Sequence, residues 1–204
     1  MTEAQLNDLP EIRQAEVRAA LTAVETAEAP VPASAFRALM DPMLRAVLER
    51  CLAEQGRILM RTGQSFLSGY ADTVSERLAV AGVGLLRQEE QAVLTLVILH
   101  GIAIPRAAGR LRSQSWTDAE PVPRSLLVRS QIPDSKIGAA LQRLRDAGIL
   151  TWGPRRTVVP GPQFHRLSPA VTERLWENLI LLAEPHGIMA EVIQRRRNRA
   201  KEAS

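Results

Sequence analysis

The 204-residue chain carries 26 Lys+Arg, 22 Asp+Glu, three His and one Cys, a formal charge of +4, and is 46% hydrophobic and 24% charged. That composition excludes a disordered, collagenous or coiled-coil chain, and the lone Cys51 excludes an internal disulfide framework or a Cys-rich zinc site. The longest apolar stretch, Ala92 to Ile104, is broken by His100 and Gly101 and falls short of the ~20 residues of a membrane span; with no signal-like opening, the expectation is a cytoplasmic protein of one or two domains and no membrane partner.

Helical periodicity dominates the chain. Thr2 and Gln5 fit a capping box, and Asp8 before Pro10 starts a helix with Ile12, Val17, Leu21 and Val24 as its apolar stripe, ended by Pro30 and Pro32. Asp41-Pro42 opens the next, which runs through Leu44, Val47, Leu48, Cys51 and Leu52 and stops near Gly56. Phe66, Tyr70, Val74 and Leu78 predict another, closing at Gly82. Gln88 to His100 is apolar nearly all round after its Gln-Glu-Glu start, which predicts burial on several sides. Pro105 to Pro123 reads as a helix end and a loop, pinned by Trp116, with nucleobase stacking the alternative role for that ring.

From Val122 the order changes. Arg124 to Ser130 predicts a short helix with Leu126 and Leu127 inward, then the turn Gln131-Ile132-Pro133 and a second helix in which Ile137, Ala140, Leu141, Leu144 and Ala147 form one stripe ended by Gly148. Ile149 to Trp152 and Thr157 to Val159 read as two strands around Gly153-Pro154-Arg155-Arg156. Phe164 to Leu167 extends their base before Ser168-Pro169 starts a new helix. Helix, turn, helix, Gly and Arg-tipped hairpin form the order of a winged helix-turn-helix, in which the second helix enters the major groove and the wing lies along the backbone.

The runs Ile132 to Ile137, Leu144 to Leu150 and Phe164 to Ala170, with Gly84 to Leu96 upstream, resemble the DNA-binding domain of MarR-like transcriptional regulators over residues 84 to 184. The resemblance implies a homodimer joined through terminal helices and repression of a promoter. The chain departs from that pattern in residues 105 to 121, in Pro160 and Pro162, and in the 83 residues that come first.

Charge is segregated. Residues 1 to 104 hold nine Arg and thirteen acids, whereas residues 105 to 175 hold twelve Lys+Arg and five acids. Clustered cations suit a polyanion, although only two of the 26 bases are Lys and genome composition also yields Arg richness. On the second helix, Ser135, Lys136, Gly138, Ala139, Gln142 and Arg143 lie opposite the stripe. Lys136 would face base edges, Gln142 would suit adenine and Arg143 guanine, while the small residues equally suit packing on a protein. Arg155 and Arg156 read as phosphate or minor-groove contacts or as a solvated turn, and Arg124 and Arg129 as backbone contacts. Arg195, Arg196, Arg197, Arg199 and Lys201 form a terminal basic group that either attracts phosphate or is a solvated tail.

No catalytic constellation assembles. His100, His165 and His186 lack metal-ligand spacing, Cys51 sits on an apolar stripe, and Gly82-Val-Gly84 is a helix-ending turn and not a phosphate loop, so no enzyme, metal or cofactor is expected. Glu76 to Val83 can be laid over Gln142 to Ile149 with Arg, Leu, Ala and Gly in register. If that is a repeat, residues 34 to 84 and 85 to 184 are two winged-helix units and resemble the kleisin-binding subunits of SMC complexes, the MukE and ScpB type, which bind partner chains. The sequence therefore predicts a mostly α protein: an N-terminal helical region (1–84), a winged helix-turn-helix domain with a small β wing (85–184), and a C-terminal helix with a basic tail (185–204). Double-stranded DNA, a second copy, and a kleisin or other protein are the partners it suggests.

Overall fold

The computed structural model describes residues 6–111 and 115–202; the Thr2–Gln5 capping box lies outside them. The protein is mostly helical with small antiparallel sheets. It divides into two compact units, the first running to Leu85 and taking in His165–Ser168, the second comprising Leu86–Phe164 and the chain from Pro169.

In the first unit, α1 (Glu11–Thr26) buries Val17, Ala20 and Val24; Leu21 is half-buried, and Ile12, expected on the stripe, is 76% exposed. A short β1 (Val31–Pro32) follows, then α2 (Arg37–Met40) and α3 (Pro42–Glu54). Asp41 caps α3, its Oδ1 accepting from the backbone N–H of Met43 at 2.9 Å, and Pro42 sits where no helical hydrogen bond is lost. Leu44, Val47, Leu48 and Leu52 face α1 and form the core with Val17, Val24, Leu39 and Phe66.

The helix predicted over Phe66 to Leu78 is not formed as such. Arg57–Thr62 (β2) and Ser65–Tyr70 (β3) are an antiparallel hairpin, and only Asp72–Val80 (α4) is helical. Thr62 pairs with Ser65, leaving the two-residue turn Gly63-Gln64 with Gly63 at φ +61°, a conformation glycine adopts without steric cost. The four-residue spacing of Phe66, Tyr70, Val74 and Leu78 imitates a helix, but β3 is the central strand of a β1-β3-β2 sheet and buries Phe66, Leu67, Ser68 and Gly69 in succession. A continuous buried run belongs to a strand covered on both faces, which periodicity does not separate from helix.

The second unit opens with α5 (Gln88–Ile98), which passes through a π-helical turn (Leu99–Ala103) into α6 (Ile104–Ala107). Trp116, as expected, anchors the following loop: it is buried and stacked on Trp176 with centroids 4.1 Å apart. Next come α7 (Arg124–Leu127), α8 (Asp134–Asp146), β4 (Leu150–Trp152) and β5 (Val158–Pro160). β4 and β5 pair antiparallel, and Val122 adds an isolated bridge to Val158. Ile137, Ala140, Leu141 and Leu144 of α8 pack on Val93 and Val97 of α5, with Leu127, Leu150 and Val158 closing that core. Ala147, expected on the stripe, is exposed at the helix end. Two helices complete the unit, α9 (Pro169–Ala183) and α10 (Ile188–Glu202).

Phe164 to Leu167 does not extend the base of the β4–β5 pair. Pro162–Arg166 is a 3-10 turn, and His165–Ser168 belongs to the first unit. There the Arg166 guanidinium donates to the carbonyls of Ala27 (2.6 Å), Ser68 (2.7 Å) and Glu25 (3.2 Å). A planar cation with several donors suits the unpaired carbonyls at the end of α1, which also carry the negative end of the helix dipole.

Apart from the 3-10 turns, the π-helical turn and α6, one order of elements occurs in both units: helix, a short strand or bridge, short helix, 13-residue helix, antiparallel strand pair. α3 and α8 each bury residues at i, i+3 and i+4 from their first buried position, and each is followed, two residues after its end, by a glycine of positive φ, Gly56 (+70°) and Gly148 (+68°). In this order α8 corresponds to α3, whereas Glu76–Val83, which shares four residues with Gln142–Ile149, runs through the end of α4.

Candidate functional site

Ion pairs link α7, α8 and α5 of the second unit around its apolar core. Arg124 on α7 pairs with Asp134 in the first turn of α8 at 2.9 Å, fixing the turn between them. Lys136 and Arg143 stand seven residues apart, two helical turns, and therefore share a face of α8. That face meets the first turn of α5: Lys136 Nζ lies 2.7 Å from Glu89, and Arg143 donates from Nε to Glu90.

Glu90 is bound twice. Its other oxygen accepts from the Arg87 backbone N–H at 2.9 Å, capping α5, and the side chain is 8% exposed. The Arg87 N–H and then the Arg143 guanidinium hold its carboxyl below the usual carboxylate range. Glu89 is lowered as well, chiefly by the Lys136 hydrogen bond. The Gln-Glu-Glu start of α5 is visible in the sequence, but nothing local shows that these carboxylates meet a helix some fifty residues later.

The outward surface of α8 mixes charged residues, Asp134, Lys136, Arg143 and Asp146, with uncharged ones. Ser135, Ala139 and Gln142 are exposed, and Gln142 donates to Asp146 at 2.7 Å. Arg145 lies over the Trp152 ring of β4, 4.2 Å from its centroid, tying helix to strand. In the first unit, α3 exposes Met43, Ala46, Glu49, Arg50 and Ala53; Arg50 donates back to the Ala46 carbonyl, and Arg45 to the Leu39 carbonyl. Every Lys and Arg of these two helices is thus engaged by a group of its own unit.

The loop between β4 and β5 is different. Gly153 N–H donates to the Thr157 carbonyl (2.9 Å), and the Thr157 N–H and hydroxyl both donate to the Pro154 carbonyl, closing a tight turn. Arg155 and Arg156 at its tip both have positive φ, 54° and 59°, and both are exposed with no ion-pair partner among the described residues. Left-handed backbone at two successive non-glycine residues costs about 1–3 kcal/mol each, and this turn's hydrogen bonds hold it. Arg129 is also exposed, beyond the end of α7.

Of the terminal arginines, Arg195, Arg196 and Arg197 are ion-paired and Arg199 is exposed. Arg195 pairs with Glu191 on its own helix, whereas Arg196 and Arg197 reach across to Glu173, Glu177 and Asn178 of α9. The Lys201 side chain lies outside the described residues. Beside these helices, Ala103, Ala107, Ile180, Ala183 and Met189 line an apolar cavity of about 200 Å³, with Arg106 stacked on Trp176 at its wall. Among the described residues no cluster of His, Cys, Asp or Glu could hold a metal ion, and no helix is long and apolar enough to cross a membrane.

No protein-family model and no curated protein matches the chain. Among solved structures, the crystal structure of ScpB from Mycobacterium tuberculosis is similar at 17% identity over 80% of this chain and 94% of that one, with a TM-score of 0.24.

Proposed function

We propose that the chain is a tandem winged-helix protein that works by binding partner polypeptides, as a kleisin-binding subunit of an SMC-type complex would. One observation supports this reading: a short helix, a 13-residue helix and an antiparallel strand pair follow one another in both units, and the Lys and Arg of both 13-residue helices are engaged within their own unit. A DNA reader needs cations aimed at phosphates and base edges, because counterion release and bidentate Arg contacts supply its affinity and specificity. Met43 on α3, exposed beside Ala46, is of a type enriched at protein interfaces.

The second reading is a dimeric MarR-like regulator bound to duplex DNA, and Arg155 and Arg156 favour it, being exposed at the tip of the β4–β5 loop. Fluorescence anisotropy on a mixed-sequence duplex across a salt series separates the two. The adaptor reading predicts micromolar or weaker binding at physiological salt, with a log–log salt slope no steeper than about −1.8, the value for two phosphate contacts, removed by Arg155→Ala plus Arg156→Ala. Nanomolar binding with a slope reporting six or more contacts would select the regulator.

A further inference from the structure

We propose that Glu89 and Glu90 mask a polyanion-binding face of α8 by occupying Lys136 and Arg143 in cis. The inference rests on taking α8 as the groove-facing helix of a winged helix, and it concerns the regulation of that face. Its basis is geometric. Two adjacent carboxylates in the first turn of α5 meet two cations spaced by two turns of α8, one pair at 2.7 Å and the other through a carboxylate that is nearly buried and also caps its own helix. A phosphate reaching Lys136 or Arg143 must displace a carboxylate already oriented by the fold. Such displacement exchanges one charge-assisted hydrogen bond for another and yields little net affinity.

The two pairs are unequal. Glu90 is held by the Arg87 N–H as well as by Arg143, so it is the fixed member. The Lys136–Glu89 pair is exposed on both sides, the lysine 56% and the glutamate 35%, and is therefore the one a competing anion opens first.

The test is a double-mutant cycle on the full chain, read by anisotropy with a mixed-sequence DNA duplex over a salt series. Glu89→Gln leaves the Glu90 cap intact and keeps the fold testable by circular dichroism. Masking predicts that Glu89→Gln raises affinity about tenfold at low salt and steepens the salt slope by about 0.9, the increment of one added phosphate contact. In a Lys136→Ala background the same substitution then changes neither quantity, because the cation it would free is absent. Equal gains in both backgrounds would mean that loss of a negative charge acts at long range, and the masking proposal would fall. No gain in either background would overturn it too, while leaving the partner-binding reading untouched. If Lys136→Ala alone weakens the unsubstituted protein by as much as it weakens Glu89→Gln, the helix is not masked and the DNA-regulator reading gains.

Discussion

Arg166 shows how one side chain can anchor a connection. Its guanidinium spans carbonyls at the end of α1 and on β3, and burial, then the nearby Arg57 charge, push its pKa down. Arg166→Ala leaves those carbonyls without donors and is expected to cost about 2–4 kcal/mol in urea unfolding. Arg166→Lys restores little of this, because one ammonium cannot reproduce the planar fork. Glu90 makes a pH-dependent contribution whose sign is fixed by its lowered pKa. The stabilisation is complete above the unfolded-chain glutamate value of about 4.3 and is lost as pH falls through the folded value, since the unfolded state then binds the proton more readily. Stability curves measured between neutral and acid pH should therefore fall more steeply for the native chain than for Glu90→Gln, which has no carboxyl to titrate there.

At the scale of elements, the helix ends were legible because their chemistry is local. Asp41 before Pro42, Gly56, Pro169 and Gly148 all mark boundaries the structure keeps. The β2–β3 hairpin was not legible, because Phe66 and Tyr70 share a spacing with Val74 and Leu78, and only pairing with β1 and β2 decides in favour of strand. α3 and α8 share a length and a burial pattern and not a residue string, so residue matching alone does not pair them. The candidate cations were found as residue types at helical spacing, but their engagement by Glu89, Glu90 and Asp134 is long-range or depends on the turn, so it lies beyond any periodicity argument. Two element-level outcomes follow from the packing. Asp41→Ala removes the α3 cap and should lower stability by about 1 kcal/mol. Leu144→Ala opens the second core, where Leu144 is 1% exposed, and should cost about 2–5 kcal/mol in a denaturant transition followed by tryptophan fluorescence. Trp116, Trp152 and Trp176 all lie in that unit, so the signal reports its unfolding.

For the whole molecule, the segregated charge of the sequence takes on a different meaning once its partners are placed. The basic stretch from residue 105 to 175 looks like a polyanion footprint when counted, yet Arg110, Arg124, Lys136 and Arg143 are each paired with a carboxylate of the same unit. Arg129, Arg155 and Arg156 are exposed with no ion pair among the described residues, while the paired Arg110, Arg124, Lys136 and Arg143 are themselves about half-exposed. We take the shared order of elements in the two units, with the cations of both 13-residue helices engaged within their own unit, as support for the proposed role of binding partner chains. Native capture of the full-length chain at its normal cellular level, with quantified co-purifying proteins, tests this most directly. A partner-binding subunit of the proposed kind is recovered near-stoichiometrically with a kleisin and a large coiled-coil ATPase, retained after nuclease treatment. Recovery of the chain as a self-dimer whose only stable partner is duplex DNA, lost on nuclease treatment, would contradict it.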